Sequence, residues 1–281
     1  MPSEPVNASR ESATWDSKGA SADWLGLAVI PAGTFAMRDA RSESSRQVSL
    51  LSFQIGETPV TQAQWNTVAS RVDSTIPPFS DSSPLAPAHP VTWFQAVRWC
   101  NAASTASGLS PAYEIHGREV EWRVDAPGYR LPTEAEWEFS CRAGTLGATY
   151  GALPDIAWTA QDDVSGPQNV GLKNSNAFGL FDTIGNVWEW CWDYMDTARY
   201  ADYRSLRGGG WADREWSCRA SVRRGSAPDA ALEDVGFRVA RGAVGEVNAH
   251  SAQGWSREAD SRRADIRGPL PMGWTPLRRG Q

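Results

Sequence analysis

The stretch from Gly144 to Asn176 is rich in Gly, Asn, Ser and Asp and carries little hydrophobic periodicity. A connection that long is uncommon inside a compact domain and is often functional. Backbone ladders cannot fix such a segment, so buried tryptophans, disulfides or bound cations have to. Tryptophan is plentiful, with 15 against 6 tyrosines and 8 phenylalanines. A large amphipathic side chain used so often points to irregular aromatic cores or aromatic binding surfaces. The four cysteines, Cys100, Cys141, Cys191 and Cys218, are widely spaced and form no CxxC pair or zinc-type cluster. Only His89, His116 and His250 are available for a histidine metal centre. His89, just before a proline in AHPVTW, reads as a turn or packing residue.

Around this segment the pattern is mixed. Short β-like runs occur at Leu25–Ile30, Gly33–Met37 and Val48–Gly56, and Pro31-Ala32-Gly33 predicts a hairpin between the first two. Thr61–Gln64, Thr92–Gln95 and Thr133–Glu136 each place a threonine three residues ahead of Gln or Glu. That spacing is a capping box, so three helices are expected to start there. Trp137 and Cys141, four apart, share a face of the third helix. Ala112–Trp122 predicts a hairpin around His116-Gly117, and short strands are expected at Ser205–Trp211, Cys218–Arg224 and Gly236–Ala240. The class is α+β with low regular secondary structure. Residues 1–23 read as a disordered leader, 24–241 as one domain, and 242–281 as a polar, Arg-rich tail that wraps the surface or stays disordered.

A net charge of -6 and a pI near 5.2 argue against a nucleic-acid partner. No apolar run is long enough to span a bilayer and no secretory signal is visible, so the expected location is the cytoplasm, away from membranes.

Four segments then narrow the reading: GYRLPTEAEWEFSCRAGT (Gly128–Thr145), NAFGLFDTIGNVWEWCWD (Asn176–Asp193), LRGGGW (Leu206–Trp211) and VGFRVAR (Val235–Arg241). In this order and spacing they resemble the formylglycine-generating enzyme, or sulfatase-modifying factor, family across residues 24–241. The resemblance implies a variant of the C-type lectin fold. It also implies several candidate functions, because the family includes copper- and O2-dependent oxidases of a sulfatase cysteine, sulfoxide synthases, receptor-like proteins and toxin-neutralising proteins.

The oxidase holds its copper with two cysteines after a Gly-Gly-Ser turn, since paired thiolates select Cu(I). Counted from Gly208-Gly209-Gly210 and from Pro228-Asp229, those positions fall at Asp213 and Glu215, and Gly210 replaces the serine. Copper and iron are therefore not expected. Cys218 has no neighbouring thiol or histidine to activate it. Residue by residue, the resemblance places Cys218 near Cys141 as a structural pair of thiols, and leaves Cys100 a buried free thiol opposite Val239. It further implies a structural calcium ion on Asn186, Val187 and Glu189, with a weaker second site at Asn169 and Val170 whose acidic ligand is replaced near Gly171.

Asp213 and Glu215 remain weak candidates for a hard-metal or acid–base site. On an exposed loop they read first as solvated charges. Arg219, Arg223, Arg224 and Arg238 are candidates to line an anionic cleft. Trp211, Asp213, Arg214, Glu215 and Trp216 form the expected contact surface for a protein or peptide. The expectation is a pseudoenzyme that binds a partner, like toxin-neutralising or receptor-like relatives. The alternative is an O2- and metal-dependent oxidoreductase of altered chemistry, acting on a small molecule or peptide in a biosynthetic pathway.

Overall fold

The protein, seen as a computed structural model, is described over residues 24–39, 44–69, 77–79, 83–195 and 202–263. The expected leader, residues 1–23, lies outside the described residues. Helices α1 (Gln62–Ala69), α2 (Trp93–Ala106) and α3 (Glu134–Arg142) begin at the three threonines. In each case the box closes in both directions. For α1, the Gln64 N–H donates to Thr61 Oγ1 at 3.2 Å and the Thr61 N–H donates to Gln64 Oε1 at 2.9 Å. Thr92 with Gln95 and Thr133 with Glu136 do the same.

The expected hairpin at Pro31-Ala32-Gly33 does not form. Strand β1 (Leu27–Ile30) pairs with β4 (Phe53–Gly56), while β2 (Gly33–Asp39) pairs with β3 (Ser44–Leu50). Tight two-residue hairpins need positive φ in the turn, and none of residues 31–33 has it. The apolar run Val48–Gly56 is accordingly two strands, broken at Leu51-Ser52, so one hairpin is nested between β1 and β4. The hairpin around His116-Gly117 does form, from β5 (Tyr113–His116) and β6 (Glu119–Trp122), with Gly117 at φ 65°.

Two four-stranded sheets organise the rest. One has the order β1-β4-β12-β7, with β7 at Tyr129–Arg130 and β12 at Ala240–Arg241. The other has the order β10-β9-β8-β11, from β8 (Trp188–Tyr194), β9 (Arg204–Arg207), β10 (Arg223–Ser226) and β11 (Val235–Gly236). Cys218–Val222, expected as strand, is a run of tight turns instead, with Cys218 N–H donating to the Glu215 carbonyl and Val222 N–H to that of Arg219. The main core is aromatic: Trp65, Trp93, Trp99 and Trp190 are fully buried, and Phe237 sits edge-on to Trp65 and Trp99.

Helix α3 is buried all round, charges included. Glu134, Glu136 and Glu138 are each at most 1% exposed. Arg130 holds Glu136 through two parallel bonds of 2.6 Å. Arg207 bridges Glu138 and Glu134, Arg142 takes the other oxygen of Glu138, and Arg223 grips Glu134. Arg142 belongs to α3 itself, but the other three arginines come from different strands, so α3 is tied to β7, β9 and β10 at once.

The segment after Arg241, expected as a surface-wrapping or disordered tail, returns to the domain. Val244 and Trp255 are buried, and strands β13 (Ser251–Ala252) and β14 (Trp255–Ser256) form a hairpin that leads into helix α4 (Arg257–Arg263). Its apolar content is sparse but placed, which is why no hydrophobic period shows in the sequence. Residues 264–281 lie outside the described residues.

Removing one partner of a buried pair leaves an uncompensated charge, at about 3–5 kcal/mol. Glu136→Ala should therefore lower the urea-unfolding free energy by that amount, since Arg130 is itself fully buried. Glu121→Ala, which breaks the exposed pair with Arg257, should cost less than about 1 kcal/mol. Equal effects of the two substitutions would show that the α3 network does not carry the domain.

Candidate functional site

Strand β9 runs into Gly208-Gly209-Gly210. Gly208 and Gly209 take φ of 102° and 86°, and a Cβ on Gly209 would lie 2.7 Å from the sulfur of Cys218. Glycine is needed there by both geometry and space. The chain then coils through residues 211–222 beside the long Gly144–Asn176 loop, because the Ala160 N–H donates to the Asp213 carbonyl and the Ala220 N–H to that of Ala148.

At Asp213 and Glu215, the two positions that counting from the glycines and from Pro228-Asp229 singles out, the side chains go opposite ways. The carboxylate of Asp213 accepts from the Trp188 indole at 2.6 Å and from the Gly210 N–H at 2.8 Å. Asp213 is thus a half-buried staple, which corrects its reading as a solvated charge and as part of an open contact surface. Glu215 is exposed, as are Arg214 and Trp216. Trp211 is half-buried and donates its backbone N–H to the Asn186 carbonyl. Trp216 is 56% exposed, the only tryptophan among the exposed large apolar side chains of the described residues, and Arg214 stacks 5.1 Å from its ring centre.

Cys218 is fully buried and unpaired. Burial, then the nearby Asp213 charge, push its thiol up to about 12. A reactive thiol needs the opposite shift. Cys141, likewise pushed up to about 12 by burial, lies in the same small apolar cluster with Trp137, Ile184 and Cys191. Cys100 is a buried free thiol in the main core, which also contains Val239. His89 is half-buried before a cis proline bond, and desolvation lowers its pKa.

The anionic-cleft reading does not hold for three of its four arginines. Arg223 is bound to Glu134, Arg224 to Asp234, and Arg238 to Glu189. Arg219 donates to the Trp216 carbonyl.

The residues expected to hold calcium are largely committed elsewhere. Asn186 exchanges hydrogen bonds with the Gln168 backbone, its Oδ1 accepting at 2.8 Å and its amide donating at 3.1 Å. Both oxygens of Glu189 are taken, by Arg238 twice and by the Trp137 indole. The amide of Asn169 faces Ser83, and the Val170 N–H donates to Leu85. As arranged, this set does not fit a cation. Oδ1 of Asp182 is one of several buried side-chain oxygens without a hydrogen-bond partner among the described residues, and the only carboxylate oxygen of them, while its other oxygen accepts from the Gly171 N–H at 2.7 Å. Burial raises the Asp182 carboxyl to about 6, against the pull of Arg238. Asp182 was missed in the sequence because one aspartate after GLF carries no ligand spacing.

The long loop is held by side chains that bracket its backbone. Asn176 donates to the carbonyls of Ser140 and Cys141 and accepts from Phe178 and Leu180. Lys173 pairs with Asp162 and sits 4.1 Å from the Trp158 ring centre. Polar side chains bracketing backbone groups replace the missing ladder.

This layered α+β arrangement, with few helices, many short strands and long bracketed loops, is the formylglycine-generating-enzyme variant of the C-type lectin fold. The sulfatase-modifying factor enzyme 1-like domain matches residues 17–243, and the chain belongs to that family. It is 30% identical to the chaperone protein LppX of Paenibacillus barcinonensis, over 76% of this chain and 89% of that one. It is 31% identical to the inactive C-alpha-formylglycine-generating enzyme 2 of Mus musculus, over 76% and 85%. Among solved structures, Treponema denticola variable protein 1 superposes with a TM-score of 0.67 at 28% identity, covering 76% of this chain and 94% of that one. No helix of the described residues is long and apolar enough to cross a membrane.

If Asp213 is a staple, Asp213→Ala should cost about 1–3 kcal/mol by stranding the Trp188 indole and the Gly210 N–H. Trp216→Ala should stay within about 0.5 kcal/mol of wild type. Urea unfolding of both variants checks this, and a neutral Asp213→Ala would return that residue to the solvated class.

Proposed function

We propose that this chain is a non-catalytic member of its family that binds a protein or peptide partner. One observation carries the reading. Where the oxidase has its copper thiols, this chain has a carboxylate bound into the fold (Asp213) and an exposed one (Glu215), while the nearby thiol, Cys218, is buried and unactivated. Similarity to an inactive relative and to a chaperone-named relative supports it. The contact surface is the exposed crest Arg214-Glu215-Trp216, narrower than the five residues expected from sequence, with the indole as its apolar anchor.

Incubation with a Cys-x-Pro-x-Arg peptide, Cu(I) and O2 should yield no aldehyde by mass spectrometry. Aldehyde formation that disappears in Cys218→Ser would overturn the reading. So would stoichiometric copper or iron in protein purified without added metal, which would favour the oxidoreductase of altered chemistry. For a partner recovered by pull-down, Trp216→Ala should weaken binding roughly thirtyfold, the equivalent of about 2 kcal/mol, without changing the melting temperature.

Calcium enters this reading only as a structural ion that the Asp182 carboxylate, and not the committed Asn186 and Glu189, would help to hold. The motivation is the buried, partnerless oxygen of Asp182. A cation bound only by the native state stabilises it by mass action. Chelation should therefore lower the melting temperature of the wild type and leave Asp182→Asn unchanged. Identical melting curves for the wild type with and without chelator would remove calcium from the account.

A further inference from the structure

The family match ends at residue 243, yet the best-anchored contacts of the C-terminal part come after it. Between them lies a short exposed link, Glu246-Val247-Asn248. Beyond the link, Gln253 takes a left-handed conformation, φ 51°, and is only 5% exposed. Its side-chain amide reads the backbone of Leu51 in both directions, accepting from the N–H at 2.8 Å and donating to the carbonyl at 3.1 Å. The same amide donates to Glu136 at 2.9 Å, and its own carbonyl accepts from the Thr133 hydroxyl at 2.7 Å. Gly254 follows where a Cβ would lie 2.7 Å from side-chain atoms of both Ala135 and Val48. Trp255 then packs tilted against Trp122 at 5.3 Å and edge-on to Trp192 at 5.6 Å between ring centres, and its indole donates to Asp260.

These are the elements by which a domain binds a peptide, here one folded into a tight hairpin: a side-chain amide that reads backbone, a residue that must be small, and an aromatic anchor in an aromatic pocket. We propose that residues 249–260 are a docked strap, a peptide ligand carried on the domain's own chain. The groove that holds it, formed by Leu51, the start of α3, Trp122 and Trp192, is a separable peptide-binding site. Its occupant is this chain's own Gln-Gly-Trp hook, in cis. Because the link is short and exposed, a strap from a second copy can take the same groove, the usual route to domain exchange.

The test keeps the full chain. A specific protease site is placed between Val247 and Asn248, the folded protein is nicked, and a fluorescein-labelled synthetic peptide of residues 249–263 is added in excess. The expected result is a folded nicked protein whose C-terminal fragment exchanges for the labelled peptide, read as a saturable rise in anisotropy. Unlabelled wild-type peptide should compete, and peptides with Gln253→Ala or Trp255→Ala should compete at least tenfold less well. Size-exclusion chromatography of the intact protein at high concentration then reports whether straps exchange between copies. Unfolding on nicking, or no exchange within a day, would make the segment an integral part of the core and overturn the proposal. Loss of the fragment without uptake of labelled peptide would overturn it too.

Discussion

Everything in this domain leans on the burial of three carboxylates on one short helix. Glu134, Glu136 and Glu138 would be ruinous to bury alone, since an ionised carboxylate loses most of its hydration inside a protein. Arg142 from the helix itself and Arg130, Arg207 and Arg223 from three strands compensate them, and each of the last three brings its own strand along. The helix thus works as a hub, and a chain with few long ladders gains a fixed centre. Glu189 with Arg238 repeats the device one layer away, where the Trp137 indole of the same helix completes the carboxylate's shell. Buried ion pairs are weak sources of net stability but strongly punish misplacement. That trade suits a fold whose strands are mostly two to seven residues long.

The candidate surface follows from the hub. Arg207 and Arg223 anchor the two ends of the 208–222 excursion to α3, leaving its crest to solvent. Within the excursion, Asp213 closes the Gly210 turn and the Trp188 indole seals it, so Arg214, Glu215 and Trp216 are presented on a rigid base. A rigid base lowers the ordering cost of a contact made there. The same rigidity disfavours thiol chemistry. Cys218 is packed beneath Gly209, and burial holds it protonated.

Much of this was legible in the chain itself. The three capping boxes place α1, α2 and α3 because a threonine hydroxyl and a Gln or Glu three residues later satisfy local backbone donors, which needs no distant partner. The family motifs define the fold. The hairpin around Gly117 is local too, since one glycine supplies the required φ.

What tertiary structure alone decided is where polar groups end. Sequence treats Asp213 as an exposed acid, Arg238 as a cleft cation and Asn186 as a metal ligand, because it cannot tell which distant donor or acceptor each will meet. The fold brings Trp188, Glu189 and Gln168 to them, and all three become internal brackets. The same holds for Gln253 and Trp255, two residues in a polar stretch without period, whose burial depends on Leu51, Glu136 and Trp192 from remote parts of the chain. Local hydrogen bonds and backbone preferences act over a few residues and can be read in order. Charge compensation and aromatic packing act through space, and only the folded chain sets those distances.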